Sequence, residues 1–169
     1  MSADGPDSRE RIRTALSEIE SVMTEKLEAG GTVSFSPKGS SMLPMLRSEG
    51  DSVTLKKPPA DIKKGTVALF VSTEGGKRHY VLHRLVKVKN GLYTFCGDNR
   101  RECDEPVQYE RIIGVVTGYE SRGKKRGVDE LWYRLYSVWM TSTYGFRRVS
   151  IKAEKRIYMI WRKLFRRKK

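Results

Sequence analysis

Short runs of alternating apolar and polar residues between Thr32 and Tyr119 constrain the fold more than any other feature of this sequence. Successive side chains of a strand point to opposite faces of a sheet, so a period of two predicts half-buried strands. Turn signals separate several runs, and Asn90-Gly91 between two of them is typical of a tight hairpin. We expect strands at Thr32–Phe35, Ser52–Lys56, Thr66–Val71, His79–Val88, Leu92–Cys96 and Ile112–Tyr119. These six runs predict a mainly β, mostly antiparallel body.

Helical periodicity flanks this body on both sides. Asp7 or Ser8 can cap a helix that runs to about Ala29, where Gly30-Gly31 is a suitable stop. A narrow apolar stripe on this helix consists of Ile12, Leu16, Ile19, Met23 and Leu27. Helical spacing returns at Asp129–Met140 and again from about Ser150. The predicted organisation is an N-terminal helix over residues 1–30, a β domain over 31–120 and a basic, aromatic helical tail over 121–169.

The net charge of +14 is concentrated at the C-terminal end of the chain. Eleven Lys or Arg residues and one Glu lie between Arg147 and Lys169, so this segment alone carries +10. The body is only weakly basic, which disfavours a nucleic-acid-binding domain, although non-specific RNA binding by the tail stays an alternative. Aromatic residues among the basic ones are typical of helices that lie on membranes, so an anionic membrane surface is the expected partner of the tail.

No apolar run approaches the length that a membrane-spanning helix needs. The first thirteen residues are polar and lack the apolar core of a secretory signal. We therefore expect a cytoplasmic protein, peripheral on the inner membrane face if the tail binds lipid. In that location Cys96 and Cys103 are expected to be reduced thiols.

The stretch Gly39-Ser40-Ser41-Met42-Leu43-Pro44 is the strongest candidate for a chemically active segment. A proline fixes its own φ and favours an extended conformation before it, so a regular helix is not expected here. The apolar residues after Ser41 would place the serine hydroxyl at the edge of a hydrophobic surface. This arrangement suits a nucleophile that faces an extended peptide, whereas the simpler interpretation is a serine that stabilises its own turn.

A nucleophilic serine needs a base, and the chain has only two histidines, His79 and His83. Both lie on one predicted strand at a spacing of four, so they share a face. A neutral imidazole can accept the serine proton, and a carboxylate can orient that imidazole. Asp98 and Asp104 follow the Asn-Gly hairpin as candidates for this acid.

The same two histidines, together with Cys96 and Cys103, suggest a zinc site as a weaker alternative. Zinc ligands usually occur in pairs two to four residues apart, but these cysteines are farther apart and both histidines lie on a strand.

Six short motifs occur in a characteristic order along the chain. They are Gly-x-Ser-Met-x-Pro, Gly-Asp-x-Val, Lys-Gly-Thr-Val-Ala-Leu-Phe, His-Arg, Gly-Asp-Asn and Ile-Ile-Gly-Val-Val, at Gly39–Pro44, Gly50–Val53, Lys64–Phe70, His83-Arg84, Gly97–Asn99 and Ile112–Val116. The ordered set resembles the signal peptidase I/LexA-type serine peptidases over roughly Ser34 to Gly118, about half of the chain. Many members use a lysine base, so His83 makes this chain similar to the Ser-His branch.

The resemblance implies a coiled β body and roles for particular residues. Ser41 would be the nucleophile, His83 the base and Asp104 the acid that orients it, with Asp98 a structural loop residue. Gly39, Ser40, Met42 and Pro44 would belong to the oxyanion and substrate-binding region, where Gly39 replaces a serine that some members use as a second oxyanion donor. An amphipathic helix stands where membrane-anchored members have a transmembrane helix.

These expectations converge on a serine endopeptidase that cleaves a signal or leader peptide and needs no cofactor and no metal. A location in the cytoplasm would favour a leader peptide over general secretion. Two alternatives stay open at this point. One is a non-catalytic peptide-binding or regulatory module of the same fold. The other is a basic adaptor for a membrane surface or a nucleic acid.

Overall fold

The computed structural model describes residues 8–48, 50–74 and 77–145. A mainly antiparallel β-sheet forms the body, with one helix before it and one after it. The sequence-based expectation of a β-rich body with flanking helices is confirmed at this level. The predicted helical segment from about Ser150 and the basic stretch Arg147–Lys169 lie outside the described residues.

Within the described residues, seven strands and two α-helices follow one another. They are α1 (Ser8–Glu28), β1 (Val33–Phe35), β2 (Ser52–Lys56), β3 (Val67–Glu74), β4 (Lys77–Lys89), β5 (Leu92–Cys96), β6 (Ile112–Ser121), β7 (Lys124–Gly127) and α2 (residues 131–145), with a 3₁₀ turn at Tyr109–Arg111 before β6. The sheet continues to Gly127, beyond the predicted domain boundary at residue 120. The first residues of the predicted helical tail therefore include the end of β6 and the whole of β7.

The strand order in the sheet is β1-β2-β6-β3-β4-β5, and β7 pairs with β6. Strand β6 occupies the centre because its first half pairs with β3 and its second half pairs with β7, while β2 runs along it. Asn90-Gly91 forms the tight turn between β4 and β5, and both residues have positive φ, as such turns require.

Alternation along the strands produces one core cluster on each face of the sheet. On one face Val67, Leu69 and Val71 of β3 pack with Leu27 of α1 and with the segment that follows Ser41. On the other face Phe70 stacks on Phe95, with ring centroids 4.4 Å apart. Residues of α1, of the serine segment and of α2 thus share the first core, which holds these three elements against the body.

Within the part of the chain that the structure describes, no helix has the length and apolar character needed to cross a membrane.

Candidate active site

The serine segment is a series of turns anchored by its own apolar side chains. Leu43 N–H donates to Ser40 O over 3.2 Å, and Leu46 N–H donates to Met42 O over 2.9 Å. Met42 and Leu46 are buried, while Ser41 is only half-buried. Gly39 has φ +99°, a conformation that favours glycine. The segment therefore fixes its backbone in the core and leaves the serine accessible.

The loop after β5 holds this segment from the other side. Asn99 N–H donates to Ser41 O over 2.8 Å, and its side-chain amide Nδ2 donates to Ser40 O over 3.1 Å. These two bonds fix the carbonyl groups before and after Ser41, those of Ser40 and of Ser41 itself. Nothing in the sequence distinguishes Asn99 beyond its place in the Gly-Asp-Asn motif, because an asparagine side chain has no strong preference for one partner.

His83 lies in the middle of β4, opposite Ala68 of β3. Its side chain is 3% exposed, and its ring is tilted against Phe70 with the centroids 6.4 Å apart. Nδ1 is 2.6 Å from Asp104 Oδ2. A carboxylate can only accept, so Nδ1 carries the hydrogen and Nε2 is the nitrogen that can accept a proton. The structure thus brings together the predicted base and the acid predicted to orient it.

Nε2 of His83 and the carbonyl oxygen of Ser41 both lie close to Gly97. A Cβ atom on Gly97 would lie 2.7 Å from Ser41 O and 3.0 Å from His83 Nε2. Both atoms therefore lie near the same point, and a side chain at residue 97 has no room there. This close approach explains physically why glycine precedes Asp98.

One cavity of about 510 Å³ is lined by Ser41, His83 and Asp104. Gly39, Ser40 and Met42, which were predicted to surround the nucleophile, line it as well. Pro44 does not, because the turns of the segment carry it to a second cavity beside α2. Pro44 was predicted to belong to the substrate-binding region, but it lies outside the cavity that Ser41 and His83 line.

His79 also lines the first cavity, but it is exposed and lies on β4 opposite Ser72. Of the two histidines, His83 is the one for which the structure shows a contact with a carboxylate. In the described residues no group of three or more His, Cys, Asp or Glu side chains could hold a metal ion, which gives the zinc alternative no site there.

Arg84, the next residue along β4, makes a second ion pair on the opposite face. Its side chain is 1% exposed, and Nε and Nη2 donate to the two Asp98 carboxylate oxygens over 2.8 and 2.7 Å. Tyr136 Oη donates to the same carboxylate over 3.0 Å. Asp98 is therefore bound inside the structure, consistent with a loop-structural residue.

Helix α2 encloses this second pair. The guanidinium carbon of Arg84 lies 5.5 Å from the ring centroid of Tyr133 and 5.2 Å from that of Tyr136. Nη1 donates to Gly65 O over 2.9 Å and to Ser137 Oγ over 3.1 Å. Burial alone would lower the pKa of Arg84, but the hydrogen bonds and charge of Asp98 outweigh it and hold that pKa above its usual value. Arg84 therefore stays charged and joins β4, the loop and α2.

Asp51 fixes the far end of the serine segment. Its buried carboxylate accepts from Arg47 N–H over 2.8 Å, from Ser121 Oγ over 2.7 Å and from Arg122 N–H over 3.2 Å. Burial raises the pKa of Asp51, but these hydrogen bonds lower it by more. The pKa of Asp51 therefore lies below its usual value. In the sequence, Asp51 stands out only as part of Gly-Asp-x-Val, a motif that by itself indicates no such contact.

In comparisons with known proteins, no protein-family model, no curated protein and no solved structure matches this chain.

Proposed function

We propose that this chain is a serine endopeptidase in which Ser41 is the nucleophile, His83 the general base and Asp104 the residue that orients His83. The observation that carries the proposal is the 2.6 Å contact between His83 Nδ1 and Asp104 Oδ2 at a cavity that Ser41 also lines. A buried imidazole with one nitrogen fixed by a carboxylate has its second nitrogen in a defined direction, which is what proton abstraction from a hydroxyl needs.

The reaction would proceed through an acyl-enzyme. Ser41 Oγ attacks the carbonyl carbon of the scissile amide while His83 Nε2 takes the hydroxyl proton. Asp104 stabilises the imidazolium that forms, and the Ser41 N–H donates to the developing oxyanion. The amide C–N bond then breaks as Nε2 returns the proton to the leaving amine. A water molecule, activated by the same nitrogen, hydrolyses the ester and releases Ser41.

The cavity suits an extended peptide because open strand edges border it. Strand β1 ends the sheet on one side, and the cavity lining includes Phe35 at the end of this strand. On the other side β5 pairs only with the Arg84–Lys89 half of β4, and residues 79–83 of β4 line the cavity. A peptide backbone can form hydrogen bonds to such an edge. A signal or leader peptide with small residues near the cut is the substrate class we propose.

The proposal includes the family that the ordered motifs resemble, the signal peptidase I/LexA-type peptidases of the Ser-His branch. Two local features support it. The Gly-Asp-Asn motif contacts the serine bend through Asn99, and both residues of the His-Arg motif contact an aspartate of the loop after β5. Leader-peptide processing in the cytoplasm remains part of this proposal.

A fluorophosphonate probe that labels activated serines tests the nucleophile directly. We expect the wild-type protein to be labelled and Ser41→Ala to lose labelling, and peptide cleavage to fall by at least about 10³-fold. Ser36→Ala is the matched control because Ser36 is an exposed serine of the same connection that does not line the cavity. It should keep labelling and cleavage close to wild type, with urea unfolding confirming that both variants fold.

Equal labelling of wild type and Ser41→Ala would contradict the proposal. A folded wild-type protein that neither reacts with the probe nor cleaves a peptide library would instead favour the peptide-binding module.

A further inference from the structure

The outer face of α2 exposes an unusual concentration of large apolar side chains. Their positions follow helical spacing and put them on one side of the helix. Each is more than half exposed, between 56% and 71%: Leu131, Trp132, Leu135, Val138 and Trp139. Isolated apolar residues on a surface need no explanation, but a contiguous face with two tryptophans marks an interaction site.

The inner face of the same helix is firmly bound to the body. Tyr133, Ser137 and Met140 are buried, and the hydroxyl groups of Tyr133 and Ser137 contact Arg84. Burial raises the pKa of the Tyr133 hydroxyl above its usual value, so it is neutral near pH 7. The orientation of α2 is therefore set by its polar and aromatic inner contacts, and its outer face remains directed away from the sheet.

A cationic cavity adjoins this apolar face. It has a volume of about 410 Å³ and is lined by Arg122, Lys124 and Arg126 of the β6–β7 hairpin and by Ser121. Trp132 belongs both to the lining of this cavity and to the exposed apolar face. Basic and hydroxyl groups thus lie directly beside apolar and aromatic ones on a single surface.

We propose that this surface, the outer face of α2 with the cationic cavity beside it, binds an anionic lipid bilayer. Apolar side chains and tryptophans enter the boundary between headgroups and acyl chains, where an indole can keep its N–H near water. The cavity receives a lipid phosphate, since Arg and Lys side chains such as Arg122 and Lys124 are suitable partners for phosphate oxygens. The surface is built on residues 119–139 of the described chain and does not depend on the tail or on the proposed peptidase reaction.

Charge favours a lipid bilayer over the other possible occupants. A second copy of the chain would bring two cationic cavities together. The segment from Arg147 to Lys169 carries +10 by composition, so it would be repelled by the same arginines and lysines. An anionic bilayer attracts these groups, and each basic residue near it strengthens binding by about fivefold.

The lipid surface would also determine where the candidate active site lies. Pro44 and Met45, which follow the nucleophile, line the cationic cavity, and Met45 Sδ lies 3.2 Å from Arg84 Nη2. Binding through α2 would therefore hold the serine segment close to the bilayer. A substrate peptide that leaves the membrane surface could then reach the cleft without diffusing into bulk solution.

Co-sedimentation of the full chain with vesicles tests this surface. We expect binding to phosphatidylcholine vesicles that contain phosphatidylglycerol and much weaker binding to pure phosphatidylcholine. Val138→Glu should weaken binding by more than about tenfold, because it replaces apolar contact with a charge that lipid phosphates repel. Val22→Glu is the matched control, since Val22 is also an exposed valine on a helix, 65% exposed against 62%.

A second pair of variants tests the cavity. Lys124→Glu should weaken binding to the anionic vesicles by about tenfold or more, since it replaces an attracted charge by a repelled one. Lys89→Glu is its control because both lysines are exposed strand residues beside a hairpin turn. Lys89 lies beside the Asn90-Gly91 turn, and Lys124 lies beside the Arg122-Gly123 turn. The control should retain most of the binding.

Three outcomes would overturn the inference. Unchanged vesicle binding by Val138→Glu and Lys124→Glu would assign the binding to another segment, such as the C-terminal tail. A wild-type dimer that Val138→Glu converts to monomers, without vesicle binding, would make the face a contact between copies. No binding to either vesicle type would leave an acidic protein partner as the better occupant. Serine labelling is measured separately, so failure here leaves the peptidase proposal standing.

Discussion

His83 and Arg84 are neighbours on β4, and each contacts an aspartate, but the two contacts lie in very different surroundings. Each contacts an aspartate from the loop after β5, His83 with Asp104 over 2.6 Å and Arg84 with Asp98 over 2.7 Å. Side chains of adjacent strand residues point to opposite faces of a sheet. One pair consequently borders the cavity that holds Ser41, whereas the other is enclosed beneath α2.

The difference teaches how one loop can serve chemistry and structure at once. The Arg84–Asp98 pair is surrounded by hydrogen-bond donors and aromatic rings, which satisfy a charge that would otherwise be costly to bury. By holding the loop, this pair also fixes Asn99 and Gly97 against the serine segment. The His83–Asp104 pair can therefore border a cavity, and the proposed mechanism uses its second imidazole nitrogen as the base there.

The largest effect should come from His83→Gln, which removes the base but keeps a polar side chain of similar size. Under the proposed mechanism we expect kcat to fall by about 10³-fold or more. The free energy of unfolding should change far less than in a variant of Arg84. Peptide cleavage and urea unfolding of the same samples measure both quantities. His79→Gln, at the exposed end of the same strand face, is the control and should retain activity.

Comparable activity in His83→Gln and His79→Gln would break the functional half of the comparison. It would show that the contact between His83 and Asp104 serves only to stabilise the loop.

Arg84→Met should have the next largest effect, and on stability. It leaves the buried Asp98 carboxylate without its cation, and the free energy of unfolding should fall by about 3–5 kcal/mol. The control is Arg78→Met. Its ion pair with Glu20 is on the surface, so the cost should be below about 1 kcal/mol. Equal losses in the two variants would mean that the buried pair has no special structural importance.

Much of the sheet was predictable because alternation and turn chemistry act locally. Ser52–Lys56 and Leu92–Cys96 have the bounds that the alternating pattern predicts, and the Asn90-Gly91 turn lies between its two predicted strands. Strand Lys124–Gly127 was missed. Its sequence Lys-Lys-Arg-Gly has no apolar alternation, and pairing with β6 stabilises it instead. A strand made by pairing alone leaves little signal in its own residues.

The site was predictable only in part, for a similar reason. The resemblance paired His83 with Asp104, and the structure places them in contact. It gave no indication that Asn99 fixes both carbonyl groups beside Ser41, or that Pro44 belongs to the cavity beside α2. These facts depend on how the loop, the serine segment and α2 pack together. Such contacts join residues far apart in the sequence and have no local pattern.

Gly97→Ala should produce the smallest of these effects. Gly97 is adjacent to Asp98 and lies close to His83, so it tests the region between the two contacts. The new Cβ would lie 2.7 Å from Ser41 O and 3.0 Å from His83 Nε2, so the loop, the serine segment or the imidazole must shift. Displacement of about 1 Å in a site can cost about 10²-fold in rate. We expect a loss of about that size, with a smaller effect on unfolding than Arg84→Met. Gly118→Ala, whose Cβ would approach Arg126 O at 3.4 Å, is the control and should keep full activity. Full activity in Gly97→Ala as well would show that the serine and histidine need not approach each other across this glycine.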